Sequence, residues 1–170
     1  MASGDPVIEV LQVLPPGSSY ATEDIRVGGS SPPESIAVYD FDSATIEYID
    51  LLCELSEDYD GGGITLTLKW SATSASGVTR WGAAFRQIAD DAEDIDASHT
   101  YDFNDADCTA ATVSGEVDYA TITFTDGADM DSVDAGELFI LRLRRNASHA
   151  NDNMTGDAEL WIGSLKGKET

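Results

Sequence analysis

Basic residues are scarce in this chain: nine Lys+Arg stand against 32 Asp+Glu, a formal net charge of −23. Holding nucleic-acid phosphates or an anionic lipid surface takes clustered Lys and Arg, so neither nucleic acid nor a membrane is expected as a partner. Lysine occurs only at Lys69, Lys166 and Lys168, while Asp, Ala, Thr and Gly are abundant. Strong self-repulsion keeps such a body soluble when densely packed or in high salt, and the composition fits a marine or salt-rich setting. Cysteine is nearly absent too. Cys53 and Cys108 are too few for a disulfide framework, leaving either one Cys53–Cys108 bridge or two free thiols. Cys53 reads as a buried small hydrophobe; Cys108 sits among acids that raise a thiol's pKa rather than activate it. No apolar stretch approaches the ~20 residues of a membrane span. The N-terminal Met1 to Pro6 has neither the basic flank nor the apolar run of a secretory signal.

Recognisable catalytic chemistry is also missing. There is no HExxH, no Walker A loop, no GxGxxG after a strand and no GxSxG elbow. The two imidazoles, His99 and His149, sit in polar loops and read as loop supports. With 32 acids, no carboxylate pair stands out as a glycosidase dyad. The acidic groups Asp90, Asp91, Glu93, Asp94, Asp96 and Asp152, Asn153, Asp157 carry the oxygen ligands calcium uses, but neither has EF-hand spacing. They read as solvated loops. No catalytic residue, metal site or cofactor is assigned, and the chain is not expected to be an enzyme.

What the sequence does contain is β-pattern. Residues 1–35 hold one apolar run, Val7 to Leu14, followed by Pro15-Pro16-Gly17, Gly28-Gly29 and Pro32-Pro33. Proline fixes φ and removes amide donors, so this reads as an extended Pro/Gly/Ser-rich N-terminal arm. An exposed strand at 7–14 would be an aggregation hazard, so it must pair, on its own body or on a partner. From residue 36 to 170 a separate body follows the period-2 rule. Ile64, Leu66, Leu68 and Trp70 alternate with Thr65, Thr67 and Lys69. Trp81, Ala83 and Phe85 alternate with Arg80, Gly82 and Arg86; Ala120, Ile122 and Phe124 alternate with threonines. Asp90 to Asp107 reads as the long acidic loop, Thr109 to Val113 as a short strand, and Ala158 to Lys166 as the last strand. The fold expected is all-β: an eight-stranded antiparallel jelly-roll sandwich with an extended N-terminal arm.

Two segments, Thr45 to Leu55 and Leu138 to Arg145, are apolar on both faces. Their surplus residues, Ile46, Tyr48, Leu52, Leu138 and Ile140, need a cover beyond the core; a subunit interface is the simplest, with the arm folding back as the alternative. In so acidic a chain, Arg142, Arg144, Arg145, Arg80 and Arg86 would pair with carboxylates within the chain or on a neighbour. Trp70 and Trp81 have core parity. Trp161 and Tyr101 are candidates for exposed aromatics.

The motifs Ala37-Val38-Tyr39-Asp40-Phe41-Asp42, Glu47-Tyr48-Ile49-Asp50 and Tyr59-Asp60-Gly61-Gly62-Gly63-Ile64-Thr65-Leu66 recur in a known pattern. It continues through Trp70-Ser71-Ala72, Val78-Thr79-Arg80-Trp81, Leu141 to Arg145 and Met154 to Leu160. Over most of residues 36–165 the chain resembles a family of small jelly-roll proteins of tailed bacteriophages, many of them marine. These are head decoration (cement) proteins, with related domains in tail fibres and spikes. The resemblance implies a homotrimer on the outer surface of the virion capsid, contacting the major capsid protein and neighbouring decoration trimers. The alternative it implies is a tail fibre or spike domain that binds host glycans. On this view Val7, Ile8, Val10, Leu11, Val13 and Leu14 of the arm are candidates for capsid binding by strand addition. Ile46, Tyr48, Leu52, Leu138 and Ile140 are candidates for the trimer interface. Deleting residues 1–30 is then expected to abolish capsid binding while leaving the body folded.

Overall fold

The computed structural model describes residues 5–91, 93–162 and 166–170. Among the described residues are eleven strands and one 3-10 turn, Ala128–Met130. The strands are β1 Ile8–Leu14, β2 Thr22–Val27, β3 Ser35–Phe41, β4 Glu47–Leu55, β5 Ile64–Ala72 and β6 Val78–Ile88. They continue with β7 Asn104–Thr109, β8 Val117–Phe124, β9 Leu138–Arg145, β10 Ala158–Leu160 and β11 Lys166–Glu169. The chain is all-β, a jelly-roll-like sandwich of two antiparallel sheets. A five-stranded sheet in the order β1-β4-β9-β6-β7 faces a second sheet ordered β11-β5-β10-β3-β2, with β8 also paired to β5. Among the described residues no helix is long and apolar enough to cross a membrane.

Alternation builds the core between the sheets. Ile49, Leu51, Cys53 and Leu55 of β4 and Phe139, Leu141 and Leu143 of β9 meet Ile64, Leu66, Leu68 and Trp70 of β5. Trp81 lies at the centre, edge-on to Phe41 at 5.0 Å and to Trp70 at 5.9 Å between ring centroids. Phe85 packs on Phe124 at 4.8 Å and on Phe139 at 4.9 Å. Such aromatic contacts add specificity beyond the area they remove from water. Both cysteines are free, and burial pushes the Cys53 thiol up to about 12.

Of the two expectations for the N-terminal segment, pairing on its own body or on a partner, the structure shows the first. Val7 donates its N–H to Gly167 O (3.0 Å), which ties it to β11 in the second sheet. The chain then crosses to the first sheet, where β1 pairs with β4 from Ile8↔Leu55 to Leu14↔Asp50. Tyr48 donates its N–H to Ser19 O, and Ala21 donates its own to Tyr48 O, both at 2.9 Å. After that the chain returns to the second sheet as β2, which pairs with β3. Residues 5–27 thus stitch the two sheets together along one side. The break at residue 35 fails as a structural boundary because the pairing partners of β1 and β2 lie on the body itself.

Two further differences are local. The strand expected at Thr109–Val113 lies earlier, as β7, so residues 104–107 of the expected Asp90–Asp107 loop are strand instead. Its Asp105 and Asp107 lie opposite Gly82 and Arg80 of β6, so cross-strand charge pairing adds to the weak apolar alternation of Ala106 and Cys108, which pack against the core. The strand expected over Ala158–Lys166 is two strands, β10 and β11, paired with different stretches of β5; residues 163–165 between them lie outside the described residues.

Candidate functional site

The outward face of the five-stranded sheet gathers most of the surplus apolar residues. Registers align them in rows across strands. Gln12 lies beside Leu52, Leu52 beside Ile140, and Ile140 beside Arg86. The next row runs Leu14, Asp50, Arg142 and Ala84; flanking rows carry Glu54 with Leu138 and Tyr48 with Arg144. Leu52, Ile140 and Tyr48 are half-buried, as is Ile46 just ahead of β4, and Leu138 is exposed. Of the candidate arm residues, Val7 is buried and Ile8, Val10 and Val13 pack against the core. Leu11 and Leu14 alone of that set are open to solvent, at 47% and 50% exposure.

Part of this face carries its own cover. The segment 93–103 folds over β9, where Arg142 is held bidentately by Asp50, Nε to Oδ1 and Nη2 to Oδ2, each at 2.7 Å. The Tyr101 ring lies 4.2 Å from the Arg142 guanidinium, with Tyr48 on Arg142 at 5.6 Å. Phe103 lies 3.8 Å from the guanidinium of Arg144, whose Nη2 donates to Asp105. Arg86 anchors the segment by donating to the carbonyls of Asp94, Ile95 and Ala97. Guanidinium planes stacked on aromatic faces are good docking contacts because Arg is weakly hydrated and planar. His99 packs edge-on to Tyr101 at 4.8 Å, and its Nε2 lies 3.7 Å from Asp131 Oδ2. His149 accepts the Asn151 N–H on Nδ1.

All six arginines find partners within the chain. Arg80 pairs with Asp105 and Asp107, and Arg26 with Glu159. Arg145 is fully buried, and each of its donors is used. Nε and Nη2 hold Asp152 at 3.0 and 2.8 Å; Nη1 reaches Phe41 O and Gly156 O; Nη2 also reaches Met154 O. Asp152 Oδ2 accepts the Arg80 N–H as well, at 2.9 Å. The carboxylate weighed as a calcium ligand is thus the counter-ion of a buried arginine. Asn153 Oδ1 accepts the Val78 N–H and Asp157 Oδ1 the Ser43 N–H. Among the described residues no group of His, Cys, Asp and Glu is arranged to hold a metal.

A second polar cluster lies on the outward face of the other sheet, and composition gave no hint of it. Glu159, nearly buried on β10, sits beside Asp40 of β3 and Ser71 of β5. Glu159 Oε2 accepts from Arg26 and from Ser71 Oγ, the latter at 2.7 Å, and Trp161 Nε1 donates to Ser71 Oγ at 3.0 Å. Trp161 is therefore half-buried and engaged, rather than a free aromatic platform. Parity could have exposed this cluster: Glu159 between Ala158 and Leu160 must point away from the core.

Asp40 is held up to about 6 by desolvation, reinforced by the charges of Glu159, Asp157, Asp24 and Glu47. A carboxyl raised in the folded state binds its proton longer folded than unfolded, so stability falls as pH rises from 3.8 through about 6. Asp40→Asn should therefore melt higher than the parent at neutral pH, and flatten that part of the melting-temperature profile. Equal neutral-pH melting temperatures would rule this role out.

No protein-family model matches the chain, and no curated protein matches it. Among solved structures it is similar to TmCBM61, a carbohydrate-binding module in complex with β-1,4-galactotriose. The TM-score is 0.39 and the identity 11%, over 94% of this chain and 88% of that one. A likeness so slight transfers neither ligand nor site.

Proposed function

We propose that this chain is a virion structural protein: a trimeric decoration (cement) protein on the outer surface of a tailed-phage head, stabilising capsomer contacts. The observation that carries the reading is the apolar row Leu52–Ile140, with Leu138 and Tyr48 in the flanking rows of the same outward face. Self-association in a chain of net charge −23 needs such an apolar centre with charged groups already neutralised nearby, here Asp50–Arg142. The head location and the major capsid protein as partner rest on the family resemblance of residues 36–165. With four of the six apolar residues of 7–14 packed in or against the core, the capsid contact from this segment falls to the exposed Leu11 and Leu14.

Immunogold labelling or reconstruction of the native particle tests the location. Signal over the whole head in sets of three supports decoration; signal confined to the tail replaces it with the glycan-binding reading. For the trimer, Ile140→Asp should weaken assembly about 100-fold, the equivalent of ~3 kcal/mol for a polar group desolvated at an interface. A variant that sediments as a trimer at micromolar concentration would show that this face is not the interface.

A further inference from the structure

We infer that β2 is a second, two-fold interface, where two copies of this chain pair edge to edge. β2 is the outer strand of its sheet, with β3 as its paired neighbour. Five of its six residues are exposed, including Ile25 at 60% and Val27 at 59%. Natural edge strands are usually shortened, bulged, covered or charged. This one is neither short, bulged nor covered, and its outward-face charges, Asp24 and Arg26, are of opposite sign and so can pair across an edge.

The backbone fixes which groups are free. Gly28 donates its N–H to Glu34 O at 2.7 Å, on the same register that places Arg26 opposite Ile36 and Asp24 opposite Val38. Hydrogen bonding alternates along an antiparallel pair. Residues 24 and 26 therefore bond to β3, whereas Glu23, Ile25 and Val27 direct their N–H and C=O groups to the open edge.

Only one two-fold register suits those groups and the side chains together. With Ile25 opposite Ile25 of the second copy, the facing residues 23, 25 and 27 all exchange backbone hydrogen bonds. The same register puts Asp24 opposite Arg26 twice, on the face where Arg26 also meets Glu159. Shifting it by two residues in either direction sets Asp24 against Asp24 or Arg26 against Arg26, which is destabilising at direct cross-strand distance. On the core-side face, Ile25 of each copy covers the other. An isologous contact of this kind closes on itself and does not propagate. It is independent of the three-fold face, which lies on the other sheet; on a shell it would join one trimer to the next.

The test uses the full chain, with Cys108→Ser as background for the cysteine variants. Sedimentation velocity across a concentration series should show a species doubling in mass. Ile25→Pro removes an N–H that points away from β3, which an edge strand tolerates, and Asp24→Arg opposes arginine with arginine. Each should weaken the doubling at least tenfold while leaving the far-UV circular dichroism spectrum of the folded chain unchanged. Under mild oxidation Ile25→Cys should cross-link to itself rapidly and Val27→Cys slowly, because only residue 25 faces its own copy. Doubling that survives both substitutions, or equal cross-linking at 25 and 27, would overturn the inference. Ile140→Asp separates the two interfaces: it should weaken the three-fold species about 100-fold and leave the two-fold one.

Discussion

Removing residues 1–30 should unfold the body, not merely detach it from a partner. Val7 is buried and Ile8, Val10 and Val13 pack against the core; a fully buried side chain of this type is worth about 1.5–3 kcal/mol. The deletion also strips β4 of its neighbour and opens Leu51, Cys53 and Leu55 to water along that side. Both crossings between the sheets, at Val7 and at Ser19 to Ala21, disappear with it. Against a net stability of ~5–15 kcal/mol, that loss is large enough to abolish cooperative folding. Circular dichroism and urea titration would show a missing or strongly shifted transition. Val7→Asp gives the same test without truncation, by placing a carboxyl at the crossing. A truncated chain that melts with the parent would mean that the segment is an appendage after all.

The second large effect is expected at the buried ion pair. Asp152→Ala would leave the Arg145 guanidinium inside the protein with its counter-ion gone, and would also orphan the Arg80 N–H. Breaking one side of a buried pair costs about 3–5 kcal/mol, because the remaining charge stays desolvated. In a chain of this size that is a melting-temperature drop on the order of 10 °C. The double variant Arg145→Met, Asp152→Leu should lose markedly less, since no charge is then stranded. Faster amide exchange in residues 146–157 should accompany the single variant, because Arg145 holds that loop through Met154 O and Gly156 O. If the single and double variants were equally stable, Arg145 would not depend on Asp152.

Both effects trace to features only half visible in the linear chain. Arg145 shares parity with Phe139, Leu141 and Leu143, so its inward direction was readable, but its partner seven residues on was not. Asp152 looked like any other loop acid until the chain folded back on β9. The same holds for Glu159: period 2 gives its direction, while Arg26, Ser71 and Asp40 reach it from other strands.

By itself the sequence determined the all-β class, the inward faces of β4, β5, β6, β8 and β9, and the core position of Trp70 and Trp81. Those follow from local alternation, which any chain carries in its own order of residues. It also marked Leu52, Leu138, Ile140 and Tyr48 as surplus to the core, because a strand has only two faces. Only the tertiary structure decided where residues 5–27 pair, which carboxylate neutralises each arginine, and that 93–103 shields part of the outward face. These are choices of partner among many chemically equivalent candidates. With 32 acids for nine bases, proximity after folding selects the pair, and nothing in the spacing of the residues does.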